Sequence, residues 1–351
     1  MLRIRCVLVT RLAVVLVGSA LAACGGDNLM GTPAGGSGGH AGQTPGAAGS
    51  AAGSIAAGSG AAGMSASGDD KLHGYFNVNL NPALEETGSP ANTSFLGKLY
   101  DGPTPAPMTF TQQMEAGGCK LYTPNVWFCE KTCTGGAVCT ADDVCTPYPT
   151  AATVGTVTLT GLGSNPIAME PKANNYQPPA GTTIPYPPCT PGAEVKLTAA
   201  GGSHAPFTLT ASCIDPLELT GGDVKLMKGQ PLPLKWKAGA ANSKVNVHIL
   251  LDISQHGTSK GNIQCDVPDN GSLSIPATLV DALLALGVSG FPTVLVTREL
   301  VGRADSGGPS NVYLKLSAQY RQAVEIPGLV SCNDSAQCPS GQTCQKDLKC
   351  E

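Results

Sequence analysis

The stretch Lys244-Val-Asn-Val-His-Ile-Leu-Leu-Asp-Ile-Ser254 decides the fold class. Val245, Val247, Ile249, Leu251 and Ile253 fall on one side of an extended chain. Lys244, Asn246, His248 and Asp252 fall on the other, and Leu250 is the one exception. A period of two with one apolar face predicts a strand buried on one side. Residues 255–261 read as a turn and 262–267 as the returning strand. Pro268-Asp-Asn-Gly271 is a second turn signal.

The same alternation recurs on either side of this stretch. It is found at 156–160, at Val195 and Leu197, at Phe207, Leu209 and Ala211, and at Leu232, Leu234 and Trp236. Residues 294–296, 312–316 and 323–326 supply later strands. Upstream, 75–80 and 94–100 alternate, followed by Asp101-Gly-Pro-Thr-Pro-Ala-Pro107, which cannot be helix. One helix is predicted over 276–286, with Leu279, Leu283 and Leu286 on one face. Pro276 opens its first turn and Gly287 caps its end. Seven or more short strands with turns between them predict a mainly β chain: an immunoglobulin-like β-sandwich with one short helix, flanked by small disulfide-rich modules and a disordered N-terminal stalk. Strand order is not legible at this level.

The composition excludes some functions. Only 13% of the 351 residues are charged and the net charge is −4, with no basic run to neutralise phosphates, so nucleic acid is not an expected partner. No Walker string, dinucleotide fingerprint or HExxH occurs, and neither a cofactor nor a metal site is expected. The cysteine pattern has no C-x2-C pair for zinc, and an exported chain meets oxidants first. The most polar cluster is Asp252, His256, Ser259, Lys260, Asp266 and Asp269, placed on or beside the turn at 255–261. Ser259, His256 and Asp252 could be drawn as a triad. However, Gly257-Thr-Ser-Lys-Gly261 has the composition of a hairpin tip, which is poor at fixing a base within hydrogen-bond reach. His248 is expected on the solvent side of its strand.

The N-terminus carries Arg3, Arg5 and Arg11, an apolar run, then Gly18, Ser19 and Ala20, which together read as a cleaved signal. It ends in Leu21-Ala22-Ala23-Cys24, which resembles the lipobox of bacterial lipoproteins. The resemblance implies cleavage before Cys24 and a membrane anchor through acyl chains on that residue, firm once two or three chains are attached. Gly25 and Gly26 follow with no aspartate, which favours the outer membrane. The next 44 residues, 25–68, are mostly Gly, Ala and Ser, with two prolines. Such a chain cannot offset its ordering entropy by burial, and as a random coil it spans roughly 35–40 Å.

Of the 14 cysteines, Cys6 leaves with the signal and Cys24 takes lipid. The twelve that remain fall into three groups expected to be disulfide-bonded. The first is Cys119, Cys129, Cys133, Cys139 and Cys145, the middle group is Cys189, Cys213 and Cys265, and the last is Cys332, Cys338, Cys344 and Cys350. Two groups are odd in number, so at least one bond must tie the first module to the β-body. Cys133-Thr-Gly-Gly-Ala-Val-Cys139-Thr-Ala-Asp-Asp-Val-Cys145 and Cys338-Pro-Ser-Gly-Gln-Thr-Cys344-Gln-Lys-Asp-Leu-Lys-Cys350 share the pattern C-x2-G-x2-C-x2-D-x2-C. This pattern resembles short extracellular modules of the Dickkopf-like or EGF-like kind. Segments this small need crosslinks because they cannot bury enough apolar surface.

The expected division is signal 1–23, lipid-anchored linker 24–68, small β segment 69–118, Cys-rich module 119–150, β-sandwich body 151–328 and terminal Cys-rich module 329–351. This layout resembles that of myxobacterial lipoproteins. It implies a cell-envelope protein, on the outer membrane and facing the periplasm or the surface. Its expected function is binding or structural, without catalysis, and its partners are the membrane and an envelope protein or polysaccharide. The alternative expectation is a lipid-anchored extracellular hydrolase whose site is assembled from distant segments.

Overall fold

The computed structural model describes residues 71–83, 88–240, 245–254, 256, 260–304 and 307–351. The signal, Cys24, the linker up to residue 68, Lys244 and Ser259 lie outside the described residues. In chain order the elements are β1 (His73–Asn81), β2 (Asn92–Tyr100), β3 (Met108–Ala116), β4 (Cys119–Val126), β5 (Val138–Ala141), β6 (Val144–Thr146), β7 (Val157–Thr160), β8 (Ile167–Met169) and β9 (Asn175–Tyr176). They continue with β10 (Glu194–Ala199), β11 (Phe207–Ser212), β12 (Val224–Lys225), β13 (Leu232–Lys235), β14 (Asn246–Asp252), β15 (Asn262–Pro268), β16 (Ser272–Ile275), α1 (Ala277–Ala285), β17 (Thr293–Arg303) and β18 (Asn311–Glu325).

The strand that decided the fold class is β14, and its inward side chains Val247, Ile249 and Leu251 are fully buried. It pairs antiparallel with β15 on one side and β17 on the other. These three belong to a ten-stranded sheet of order β3-β4-β15-β14-β17-β18-β1-β2-β9, with β12 pairing the far end of β18. Every pairing along that order is antiparallel except β1 with β18, which run parallel from His73↔Asn311 to Leu80↔Ala318. A four-stranded sheet, β11-β10-β7-β8, supplies the second layer. The apolar faces of both sheets meet in one hydrophobic cluster. Burial of this size is what opposes the ordering entropy of so long a chain. The mainly β, two-layered class with one short helix and disulfide-rich modules is as the strand patterning predicts.

The two layers touch most closely where β11 crosses β17. A Cβ on Gly302 would lie 2.0 Å from the carbonyl oxygen of Thr210, so only glycine fits at this crossing. The helix α1 buries Leu279, Val280 and Leu283, close to β3, β4 and β15. Pro276 stands at its N-cap position, one residue before the first helical position expected for it. Gly287, at φ +91°, follows the C-cap residue Leu286.

The expectation of a separate small β segment at 69–118 is corrected. β1 and β2 are inner strands of the large sheet, and β3 with β4 extends its edge. Phe76, Val78, Leu80, Phe95 and Leu99 belong to the common core. Local alternation showed that these were strands, but a strand's partners are set by distant sequence. The boundary of the first Cys-rich module moves for the same reason. Cys119 sits on β4 within the sheet, and the compact knot runs from Cys129 to Cys145.

The strand registers fix a direction. The chain enters the sheet at His73, opposite Asn311. At the other end, Ala323, Thr293, Asp252, Asn262 and Tyr122 face one another in a row across β18, β17, β14, β15 and β4. The two ends are about 40 Å apart along β18 at the usual strand rise. β4 runs on beyond Tyr122 with β3 as its partner among the described residues and leads into the first knot. The chain leaving that knot returns to the entry end, where Ala151 bridges Tyr100, the partner of His73. The terminal module joins at the far end, where Gly290 N–H donates to Asp347 O at 2.7 Å and Ser331 Oγ–H donates to Gly290 O at 2.7 Å.

Candidate functional site

The polar cluster read around residues 255–261 does not gather there, which is a second correction. The seven residues of β15 separate Asp269, which follows that strand, from the turn by about 20 Å. Asp252 accepts from Ser254 N–H and Ser254 Oγ–H, at 2.8 and 3.0 Å, and so caps its own turn. Lys260 donates its backbone N–H to Ser254 Oγ. His256 sits exposed, with its ring edge-on to Phe291. Closeness in sequence does not bring these residues together, because an extended strand separates them.

Asp266 pairs across the sheet with His248, with Nδ1 to Oδ1 at 2.7 Å. That hydrogen bond holds the Asp266 carboxyl below the ordinary carboxylate value, with burial partly opposing it. Asp266 is exposed, so the pair is screened and its worth is under about 1 kcal/mol. A lowered folded value stabilises above the unfolded value and is lost as pH falls through the folded one. Asp266→Asn is therefore expected to cost this small amount at neutral pH. The difference from the parent should vanish in acid, as read by urea melts across pH.

Asp269 is buried and meets Arg298, which sequence analysis did not single out. The Arg298 side chain is 1% exposed. Its Nε–H donates to Asp269 Oδ2 at 2.7 Å and Nη2 donates to Asp269 Oδ1 at 3.2 Å. The remaining donors reach the carbonyls of Pro216 at 2.7 Å, Asp215 at 3.3 Å and Lys237 at 2.6 Å. Asp269 also accepts from Trp236 Nε1–H and Gly239 N–H. Each donor of the guanidinium and each oxygen of the carboxylate is thus occupied. The knot ties β17 to two loops and to the turn after β15. The cavity beside it is about 70 Å³, lined by Gly192, Cys213 and Asp215 among others, and too small for an organic substrate. A signal did exist in the sequence. In Val294, Val296, Arg298, Leu300 the arginine takes an inward position, and a buried arginine requires a buried acceptor.

A larger groove, about 510 Å³, opens at the far end of the sheet. It is lined by His256, Phe291, Thr293, Arg321 and Asn333, and none of these is acidic. The body contributes four of them, and the terminal Cys-rich module contributes Asn333. The groove offers a guanidinium, an imidazole, an amide and a hydroxyl around one aromatic ring. Such a surface suits recognition of an anionic or hydrogen-bonding group.

All twelve cysteines from Cys119 onward are paired. Cys119–Cys265 joins directly opposed residues of β4 and β15, and so ties the first Cys group to the middle one. Cys189–Cys213 lies within the body. The first knot is Cys129–Cys139 with Cys133–Cys145, and the second is Cys332–Cys344 with Cys338–Cys350. Both link first to third and second to fourth. Gly136 and Gly341 match in positive φ, at +78° and +86°, as do Asp143 and Leu348, at +58° and +64°. The two modules are therefore repeats in structure as well as in sequence. Cys129, Cys133 and Cys145 cluster closely enough to suggest a metal site, as do Cys332, Cys338 and Cys344, but their sulfurs are consumed by disulfides.

No family model matches the chain. No curated protein matches it either. Among solved structures it is similar to the FN1–FN3 domains of chicken CNTN1, at 8% identity over 69% of this chain and 71% of that one, with a TM-score of 0.17. It is also similar to Escherichia coli alpha-2-macroglobulin activated by porcine elastase, at 10% identity over 69% of this chain and 25% of that one, with a TM-score of 0.18. At such scores neither likeness says anything about function.

Proposed function

We propose that the protein is a lipid-anchored envelope module that holds a recognition surface away from the membrane. It binds an envelope protein or polysaccharide and performs no chemistry on it. One observation carries this reading: the groove and the terminal Cys-rich knot lie at the end of the large sheet opposite the point where the chain enters it. The lipobox at 21–24 and the linker at 25–68 precede that point in the chain. A lipid on Cys24 would then leave the far end facing outward. The acidic groups of the cluster read beside residues 255–261 are each engaged by a structural partner. Asp269 serves Arg298, Asp266 serves His248, and Asp252 caps a turn.

The test has two parts. The intact mass of the protein from its native membrane should fit a chain starting at acylated Cys24, with twelve cysteines blocked from alkylation until reduced. Lipid-free protein should bind saturably to envelopes of cells lacking it. Arg321→Glu, an exposed change at the groove, should weaken that binding at least tenfold without altering the urea midpoint. A start upstream of Cys24, or binding indifferent to Arg321, would count against the reading.

A further inference from the structure

The two knots share one disulfide pattern and one turn geometry, yet only one of them is covered. In the terminal knot the covered face consists of Ser331, Cys332 and the turn from Asp347 to Cys350. It grips the backbone of Gly290 from both sides: Asp347 O accepts the Gly290 N–H and Ser331 Oγ–H donates to the Gly290 carbonyl. Cys332 is fully buried and residues 347–350 are half-buried.

The corresponding positions of the first knot are Phe128, Cys129 and the turn from Asp142 to Cys145. Asp142, Asp143, Val144 and Cys145 are all exposed there, each more so than its counterpart. The bare face also differs in chemistry. Counting from the cysteines, Phe128 falls where the covered knot has Ser331, and Val144 where it has Lys349; Phe128 is held to the turn by its own pair of bonds, donating N–H to Asp142 Oδ1 and accepting from Asp143 N–H. Phe128 is 71% exposed and Val144 49%. Eight large apolar side chains are exposed among the described residues, and four of them, Val126, Phe128, Val144 and Tyr148, belong to this knot and its flanks. The indole N–H of Trp127, between Val126 and Phe128, is buried without an acceptor. Apolar side chains concentrated on an exposed face mark an interaction site. The duplicate shows what such a face takes: a glycine-containing turn of polypeptide, held by its backbone.

We infer that the first Cys-rich knot is a docking face for a partner polypeptide. The partner segment is a bare-backbone turn whose N–H meets Asp142 O and whose neighbouring apolar side chain packs on Phe128 and Val144. This rests on the reading of the protein as a recognition module, and it names a partner's chemistry. The terminal knot, already satisfied by Gly290, fixes one wall of the groove and leaves the first knot free for another chain.

The test uses the chain's own covering segment as the probe: an end-blocked peptide Val-Ser-Gly-Phe-Pro-Thr, the sequence of residues 288–293. It is titrated into the full mature chain with tryptophan emission as the readout. Trp236 is buried in the body, so changes report Trp127. A saturable shift is expected. It should weaken at least tenfold in the double variant Phe128→Ser with Val144→Lys, which gives this face the side chains of the covered knot. It should weaken similarly when the peptide's glycine is N-methylated, which removes the donor. Arg321→Glu should leave the titration unchanged, so failure at the knot and failure at the groove are separable. An absent shift, or one indifferent to N-methylation, would overturn the inference. So would a wild-type chain that sediments as a dimer which the double variant abolishes, since the face would then belong to a second copy.

Discussion

Replacing Arg298 with leucine is expected to lower the unfolding free energy by about 3–5 kcal/mol. The loss comes less from the missing attraction than from what stays behind. Asp269 would remain charged and buried, and the carbonyls of Pro216 and Lys237 would lose their donors. The double variant Arg298→Leu with Asp269→Leu should recover part of that loss, because no unpaired charge would then remain. It should not recover all of it, since Trp236 Nε1–H and Gly239 N–H would be left without the acceptor they share. Urea melts of the parent, the two single variants and the double variant give the coupling directly. A single variant within about 1 kcal/mol of the parent would mean that the pair is far better hydrated than its burial implies.

The second large effect is expected from removing Cys119–Cys265 by changing both cysteines to alanine. The bond closes a loop with a sequence separation of 146. Chain-entropy arithmetic for that length gives about 5 kcal/mol, and native bonds removed from secreted domains cost about 2–5. The structure also says where the loss should appear. β4 meets β15 only from Asn262↔Tyr122 to Cys265↔Cys119, so four paired residues and this bond hold the β3–β4 ribbon to the sheet. Amide exchange in β3 and β4 should therefore accelerate more than in β14 or β17. Equal protection throughout would show that the sheet edge is held by packing under α1 instead.

Much of this architecture was legible because the signals are local. β14 alternates so regularly that its buried face follows from the sequence, although the strand is the shorter Asn246–Asp252 within the expected 244–254. The odd cysteine counts forced a bond between groups, and Cys119–Cys265 is such a bond. Two things were not legible, for one physical reason. β1 pairs with β18 across some 240 residues, and Arg298 meets Asp269 across a β-sheet. Such contacts are chosen by the whole core, not by neighbours in sequence. The groove belongs to the same class, since Asn333 and Arg321 come from a knot and a strand that are separate in the chain. The exposed face of the first knot could be seen only by setting it beside its repeat.

The parallel pairing of β1 with β18 has a mechanical consequence. Under the proposed anchoring at Cys24, the tether would pull on the start of β1, and a ligand held at the groove would pull the other way along the same strands. Hydrogen bonds on both sides of β1, to β2 and to β18, then bear the load together in shear rather than opening one at a time like a zipper. A pull applied at the first strand therefore meets a strand fastened in the interior of its sheet, where the traction is shared across both flanking ladders at once.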